Sequence, residues 1–360
     1  MKNCLIKYNF AILLINIYIY IFINNNKSLI LKSSDLYIFL QNHFKNKTLI
    51  NQKKYENKSQ KLKLKIACKD TLNNENCFQN SKKKLERLNY IVENNDDNPD
   101  FIIYDVFGCQ HTQKKYNKSV KIALYSENII PDFSEADYSL GQAHIIYMDR
   151  FFKYPSFIYR LNLFRKYNVT NIESFAKNKL KSKFCGAVIS NHRNFSIFRL
   201  DFIKKLSEYK KVDMGGNYGN NIGKSVKNKI EFLSSYKFSI SMENSNGDGY
   251  LSEKIIESFI AGTIPIYYGD YMVDEYINPK VYILIKGEND INDKIEYIKK
   301  IDNDNKLYLS ILKERIFIND NYKDIIKKVE KDKTIFWNNI FSNNLLKIKR
   351  VDDINYNIII

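Results

Sequence analysis

The stretch from Lys237 to Asp270, KFSISMENSNGDGYLSEKIIESFIAGTIPIYYGD, holds residue types arranged for anion chemistry. An apolar run ends at Glu243-Asn244, and a loop with Gly247 and Gly249 follows. A helical pattern then starts near Ser252, with Glu253 and Lys254 in its first turn. A helix N-terminus carries roughly half a positive charge and unpaired N–H groups. Strand, glycine loop and helix start together make a cradle for phosphate, and Lys254 adds a full charge to it. Taken locally, the pattern slightly favours a plainer role, an ordinary βα turn capped by Ser252, because single glycines are common in such turns.

Other chemistries find no support. No G-x-x-x-x-G-K-[ST] loop occurs, and Gly247-x-Gly249 lacks a third glycine, which argues against a P-loop NTPase or a standard dinucleotide fold. The only D-x-D pattern, Asp302-Asn303-Asp304, lies in a Lys- and Asn-rich stretch and reads as a solvated turn rather than a metal site. His43, His111, His144 and His192 are dispersed, without metal-ligand spacing.

The elements that must position this segment alternate between strand and helix. Leu62, Leu64 and Ile66 alternate with lysines as in a strand. Lys82 to Val92 reads as a helix, Phe101 to Phe107 and Val120 to Tyr125 as strands, and Tyr138 to Leu140 as the start of another. In the second half Phe184 to Ser190 reads as a strand, and Phe195 to Tyr209 as a helix. Lys211 to Met214 is a short strand, Ser225 to Ser235 a helix and Lys237 to Met242 a strand. Leu251 to Ala261 is a helix stopped by Gly262, and Ile264 to Tyr268 is the next strand. Such alternation predicts parallel sheets covered on both faces. A seam near Arg160 to Leu180 divides two units, with ligands expected at the carboxyl ends of the strands. From about Asn289 the chain is helical and Lys-rich.

The chain has 360 residues, 44% hydrophobic and 27% charged, which excludes disorder throughout and a multi-span membrane protein. Its length suits two domains. The formal charge of +17 suits a polyanionic partner, although the abundance of Lys, Asn, Ile, Tyr and Phe points mainly to A/T-rich coding. Phe10 to Ile23, FAILLINIYIYIFI, follows Lys2 and Lys7 and precedes Asn24 to Lys27. It is marginal against the roughly 17–25 residues that span a bilayer, and no small-residue cleavage site follows. It reads as an uncleaved signal-anchor, and Ser28 to Gln60 as a polar stem. Cys68, Cys77, Cys109 and Cys185 allow two disulfides in three connectivities, with free thiols an equal alternative.

The central segment resembles the donor-binding signature of the family 10 glycosyltransferases, the α-1,3/1,4-fucosyltransferases. The resemblance is carried by Met242-Glu243-Asn244, by Tyr250-Leu251-Ser252-Glu253-Lys254, and by Ala261-Gly262-Thr263-Ile264-Pro265-Ile266. Val212-Asp213-x-Gly215-Gly216, Asn220 to Gly223, Lys227-Asn228-Lys229, and Ile189-Ser190-Asn191 followed by Arg199 also resemble the bacterial branch. Met242 and Ser252 stand where the family usually has Phe and Thr, and Asn217 to Asn220 lacks the basic residues of bacterial relatives.

The resemblance implies an α/β fold of two facing Rossmann-like domains (GT-B type) with a C-terminal helical segment. The implied organisation is an anchor at 1–27, a stem at 28–60, an acceptor-side domain at 61–165, a donor domain with C-terminal helices at 166–345 and a tail at 346–360. It implies inverting transfer of L-fucose from GDP-fucose to an acceptor oligosaccharide or glycoconjugate. No cofactor or metal is essential, and stimulation by a divalent cation is allowed. Arg199 and Lys254 match the family's diphosphate ligands, and Asn244, Tyr250 and Glu253 its donor-site lining. Glu127, in Leu124-Tyr125-Ser126-Glu127-Asn128, matches the proposed general base; by itself it reads as a strand-end carboxylate capping a turn before Pro131. The expected setting is a single-pass type II membrane protein, in the Golgi or secretory pathway of a eukaryotic cell. Nucleic acid is not an expected partner, since the lysines are spread and no RNA motif occurs. The alternatives are another nucleotide-sugar donor or a basic nucleic-acid-binding protein.

Overall fold

The computed structural model describes residues 62–166 apart from Ile146 and Met148, 178–190 apart from Lys181, 197–318 and 322–342. The expected anchor, stem and tail, and Asn191, lie outside the described residues.

The first sheet contains β1 (Lys63–Lys69), β2 (Ile91–Asn94), β3 (Phe101–Tyr104), β4 (Val120–Leu124), β5 (Tyr138–Gly141) and β6 (Phe151–Lys153). Their order is β2-β1-β3-β4-β5-β6, and every pairing is parallel. Every residue of β3 is buried, which accounts for its continuous apolar character; β5 is equally buried although it carries Ser139. Helix α1 (Asn74–Arg87) links β1 to β2. It starts earlier than the Lys82 to Val92 pattern predicts, because the Asn73 carboxamide caps it by accepting from Asn76 N–H at 2.9 Å. Val92 belongs to β2. A disulfide joins Cys68 at the end of β1 to Cys77 in α1, whereas Cys109 and the buried Cys185 are free thiols.

The second sheet contains β7 (Lys183–Ala187), β8 (Val212–Met214), β9 (Tyr236–Met242), β10 (Ile264–Tyr268) and β11 (Ile283–Leu284), in the order β11-β10-β9-β7-β8, again all parallel. The short helix α2 (Ile158–Leu161) follows the first sheet. Helices α3 (Ile197–Ser207), α4 (Lys229–Leu233) and α5 (Glu253–Ile260) are the crossovers of the second. Helix α4 is shorter than the expected Ser225 to Ser235, because Asn228 caps it by accepting from Glu231 N–H at 3.2 Å. Gly262, at φ +68°, ends the α5 turn as anticipated.

Helices α6 (Ile291–Asn303), α7 (Asn305–Lys313) and α8 (Tyr322–Ser342) complete the described chain. Helix α8 returns to the first sheet. Phe341 packs edge-on against Phe101 at 4.7 Å between centroids, and Phe336 stacks on Phe152 at 5.6 Å. The D-x-D stretch is not a solvated turn. Asp302 is buried and paired with Lys210 and with Lys237, the latter at 3.0 Å. Asp304 caps α7, accepting from Lys306 N–H at 2.9 Å and Leu307 N–H at 3.0 Å. A carboxylate that anchors two lysines from other elements is buried by its partners, a long-range effect that local polarity hides.

Candidate active site at the β9–α5 edge

Strand β9 carries the chain into the second sheet's centre and releases it at Glu243, whose carboxylate is only 1% exposed. That carboxylate accepts from Ser252 N–H at 2.9 Å and from the Ser252 hydroxyl at 2.6 Å. It also accepts from the Lys254 ammonium at 2.6 Å. The predicted role of Ser252 changes accordingly. Ser252 stands at the N-cap position of α5, but its hydroxyl donates to Glu243 rather than capping the helix. The protein's own carboxylate thus meets the Ser252 N–H at the helix start, where the pattern suggested a phosphate cradle. Sequence reasoning included Glu243 in the motif but missed this function; its only signal was an acidic residue closing a buried strand.

Around Glu243 the predicted donor residues converge. Burial opposes the charge of Lys254, yet Glu243 and Glu253 beside it prevail and raise its pKa. Glu253 is 3.7 Å from the same ammonium. Burial opposes its charge too, but Lys254, its own backbone N–H and Lys229 hold its pKa down. Arg199, in the first turn of α3, is buried and donates to the carbonyl of Met242 at 3.3 Å and to Oδ1 of Asn244 at 3.2 Å. Burial lowers its pKa against the opposing field of Glu243. A guanidinium and an ammonium are therefore held at one strand end by backbone, amide and carboxylate oxygens. Such a pair suits a bound diphosphate.

The loop after Asn244 crosses to the first half. Gly249 has φ +93°, and a Cβ there would stand 2.1 Å from the carbonyl oxygen of Gln142, so both conformation and space require glycine. Tyr250 is buried, with Glu127 within electrostatic reach of its hydroxyl; burial, Glu243 and Glu127 together push its pKa up. Glu127 itself is exposed, beyond the end of β4. Asp105, at the end of the adjacent β3, has its pKa pushed up to about 6 by burial, against the Val106 N–H it accepts at 2.8 Å and with the charge of Glu127 adding to the rise. The structure brings Glu127 to Tyr250, and Arg199, Asn244, Glu253 and Lys254 to Glu243. It adds Asp105, which no sequence pattern had singled out.

Comparison with known proteins places these residues within matched regions. The profile of glycosyltransferase family 10 (fucosyltransferase), C-terminal part, matches residues 178–336. The profile of the α-(1,3)-fucosyltransferase FucT N-terminal domain matches residues 67–160. The α-(1,3)-fucosyltransferase FucT of Helicobacter pylori is 27% identical over 304 residues, covering 72% of this chain and 63% of that protein. Human 4-galactosyl-N-acetylglucosaminide 3-α-L-fucosyltransferase 9 is 33% identical over 134 residues, 36% of each chain. The matched region thus spans less than two thirds of the length of these relatives. A crystal structure of an α1,3-fucosyltransferase superposes with TM-score 0.64 at 25% identity, over 79% of this chain and 93% of that one. A crystal structure of an α1,3-fucosyltransferase with GDP-fucose superposes with TM-score 0.60 at 26% identity, over 78% and 92%.

Proposed function

Because the chain belongs to glycosyltransferase family 10, the fucosyltransferases, we propose that it transfers L-fucose from GDP-fucose, with inversion, to a hydroxyl of an acceptor glycan in α-1,3 linkage. The observation that carries this reading is the pairing of opposite chemistries at one place. Buried Arg199 and half-buried Lys254 stand at the β9–α5 edge, and Tyr250 of the same loop lies within electrostatic reach of Glu127 of the first half. The likeness to an α1,3-fucosyltransferase solved with GDP-fucose supports the choice of donor.

Inversion requires attack on the anomeric carbon from the side opposite the leaving diphosphate. Glu127 takes the proton of the attacking hydroxyl, a contribution of about 10²–10⁴-fold. Charge gathers on the diphosphate as the bond breaks. Arg199 and Lys254 stabilise it, each donor being worth about 2.7–4 kcal/mol by analogy with oxyanion sites. Glu243 holds Lys254 in place before the donor arrives and Asn244 does the same for Arg199, so little reorganisation is left for the reaction. Tyr250 and Glu253 line the donor side. The transfer is proposed to run without a metal; the D-x-D carboxylates are occupied by Lys210, Lys237 and the α7 cap. The reading extends to a type II protein held in a secretory membrane by Phe10 to Ile23, supported by the flanking lysines.

The test is calorimetric titration of the full chain with GDP-fucose, GDP-mannose and UDP-sugars, followed by transfer assays on an acceptor-glycan panel with and without chelator. GDP-fucose should bind and yield a fucosylated product in both conditions. Transfer from a different nucleotide sugar alone, or complete loss on chelation restored by manganese, would contradict the reading.

A further inference from the structure

The turn that bears Glu127 is fastened to the donor loop by the next residue. Asn128 donates from Nδ2 to Ser245 Oγ at 2.8 Å and to the carbonyl of Asn246 at 3.2 Å. Gly247 closes the same contact, since a Cβ there would stand 2.3 Å from Asn128 Oδ1 and 2.5 Å from Nδ2. Its backbone lies outside the left-handed region; the positive-φ glycines are Gly219, Gly223, Gly249 and Gly262. An alanine could therefore adopt the Gly247 conformation, and what leaves no room for one is the Asn128 carboxamide. The three residues touched or crowded by Asn128 directly follow Asn244, the partner of Arg199, and precede Tyr250, which lies within electrostatic reach of Glu127.

We propose that Asn128 is a positioning residue, a latch that sets the height of Glu127 above the donor loop so that base and donor are located by one piece of backbone. The proposal rests on the reading of Glu127 as the general base. A base must come within about 2.6–3.2 Å of the proton it takes, and a misplacement of about 1 Å costs about 10²-fold in rate. Glu127 is exposed; the first half holds the backbone before it, through Tyr125 N–H donating to the Leu140 carbonyl at 2.9 Å and the Gln142 amide donating to the Ser126 carbonyl at 2.5 Å, while the backbone after it is tied to the donor loop through Asn128. The latch adds a second constraint from the far side of the cleft, and any movement of the donor loop is passed directly to the base.

Asn128→Ala, Gly247→Ala and the double variant of the full chain form the test. Asn128→Ala should lower kcat for fucosyl transfer by up to about 10²-fold, while calorimetric affinity for GDP-fucose and the melting temperature stay at wild-type values. Gly247→Ala should lower kcat likewise, because its methyl group displaces the carboxamide. The double variant should be no worse than Asn128→Ala, since removing the carboxamide makes room for the methyl, a non-additivity that independent sites do not show. Ser245→Ala, which trims only one partner, should give a smaller loss that also fails to add to that of Asn128→Ala; it keeps the question open to measurement if the alanine at Gly247 prevents folding. Wild-type kcat in Asn128→Ala, additive losses in the double variant, or a lowered melting temperature with kcat per folded molecule intact would overturn the latch. If Glu127→Gln is inactive while Asn128→Ala turns over normally, the latch alone fails; if Glu127→Gln turns over normally, base and latch fail together.

Discussion

The end of β9 and the ends of β3 and β4 meet across one cleft, and they handle charge in opposite ways. At β9 the charges are of both signs, buried or half-buried, and each has polar partners: Glu243 takes Lys254 and Ser252, and Arg199 takes Asn244 and a backbone carbonyl. At β3 and β4 the charges are carboxylates, Asp105 and Glu127, and among the described residues neither forms an ion pair with Lys or Arg. Even within the first sheet the contrast holds. Asp70 at the end of β1 is satisfied by the N–H groups of Gln110 and His111 and by the His111 ring at 2.6 Å, and its pKa is lowered despite burial. A leaving diphosphate is an anion before and after its bond breaks, so its cations can be assembled in advance. A base has to take a proton from the incoming hydroxyl, and among the described residues no Lys or Arg is paired with Glu127.

The largest effect that could break this contrast is expected at Glu127. Glu127→Gln keeps the shape and removes the proton acceptor, so transfer should fall by about 10²–10⁴-fold with calorimetric GDP-fucose affinity retained. A parallel loss of affinity would make Glu127 a donor ligand and erase the distinction between the two edges. Next comes Lys254→Ala. Transfer should drop by about 10²–10³-fold, the range for one oxyanion donor. Donor affinity should fall with it, and the melting temperature should decline because Glu243 loses its cation. Donor affinity that is unchanged per folded molecule would reduce the pair to a structural ion pair.

The smallest effect concerns Asp105. Its folded pKa of about 6 lies above the ordinary 3.8, so the folded protein keeps a proton that the unfolded chain has released. The stability this contributes is complete below the ordinary value and is lost as pH rises through about 6. Asp105→Asn should flatten that part of the melting-temperature profile. An unchanged melting-temperature profile in Asp105→Asn would show that burial does not hold the Asp105 proton in the folded chain.

Much of the donor edge was legible in the chain itself. A buried parallel strand, a glycine loop and an acidic-basic pair at a helix start follow one another in sequence, and each has a local physical signature. What Glu243 does was not legible, because its partners Ser252 and Lys254 reach it through space and Ser252 offered an ordinary capping role. The start of α1 was hidden by a run of Asn and Lys in which only Phe78 and Leu85 become buried. β2 and β6, at four and three residues, are too short for a period to show. On the acceptor side Glu127 was found through family resemblance alone, since a carboxylate after a strand has an unremarkable local reason to exist. Asp105 and Asn128 draw their meaning from residues on other strands and on the far loop, which no local pattern reports.

The return of α8 to the first sheet has a consequence for how the protein is made. Strands β1 to β6 leave the ribosome first, yet Phe101 and Phe152 wait for Phe341 and Phe336 near the other end of the described chain. Until synthesis has passed Ser342, the nascent first half carries an uncovered aromatic face, the kind of surface that chaperones hold and that aggregates when they do not. Closing so long a loop is slow. The order of translation is therefore not the order of folding: the second sheet is free to consolidate while the first, although older, stays unroofed.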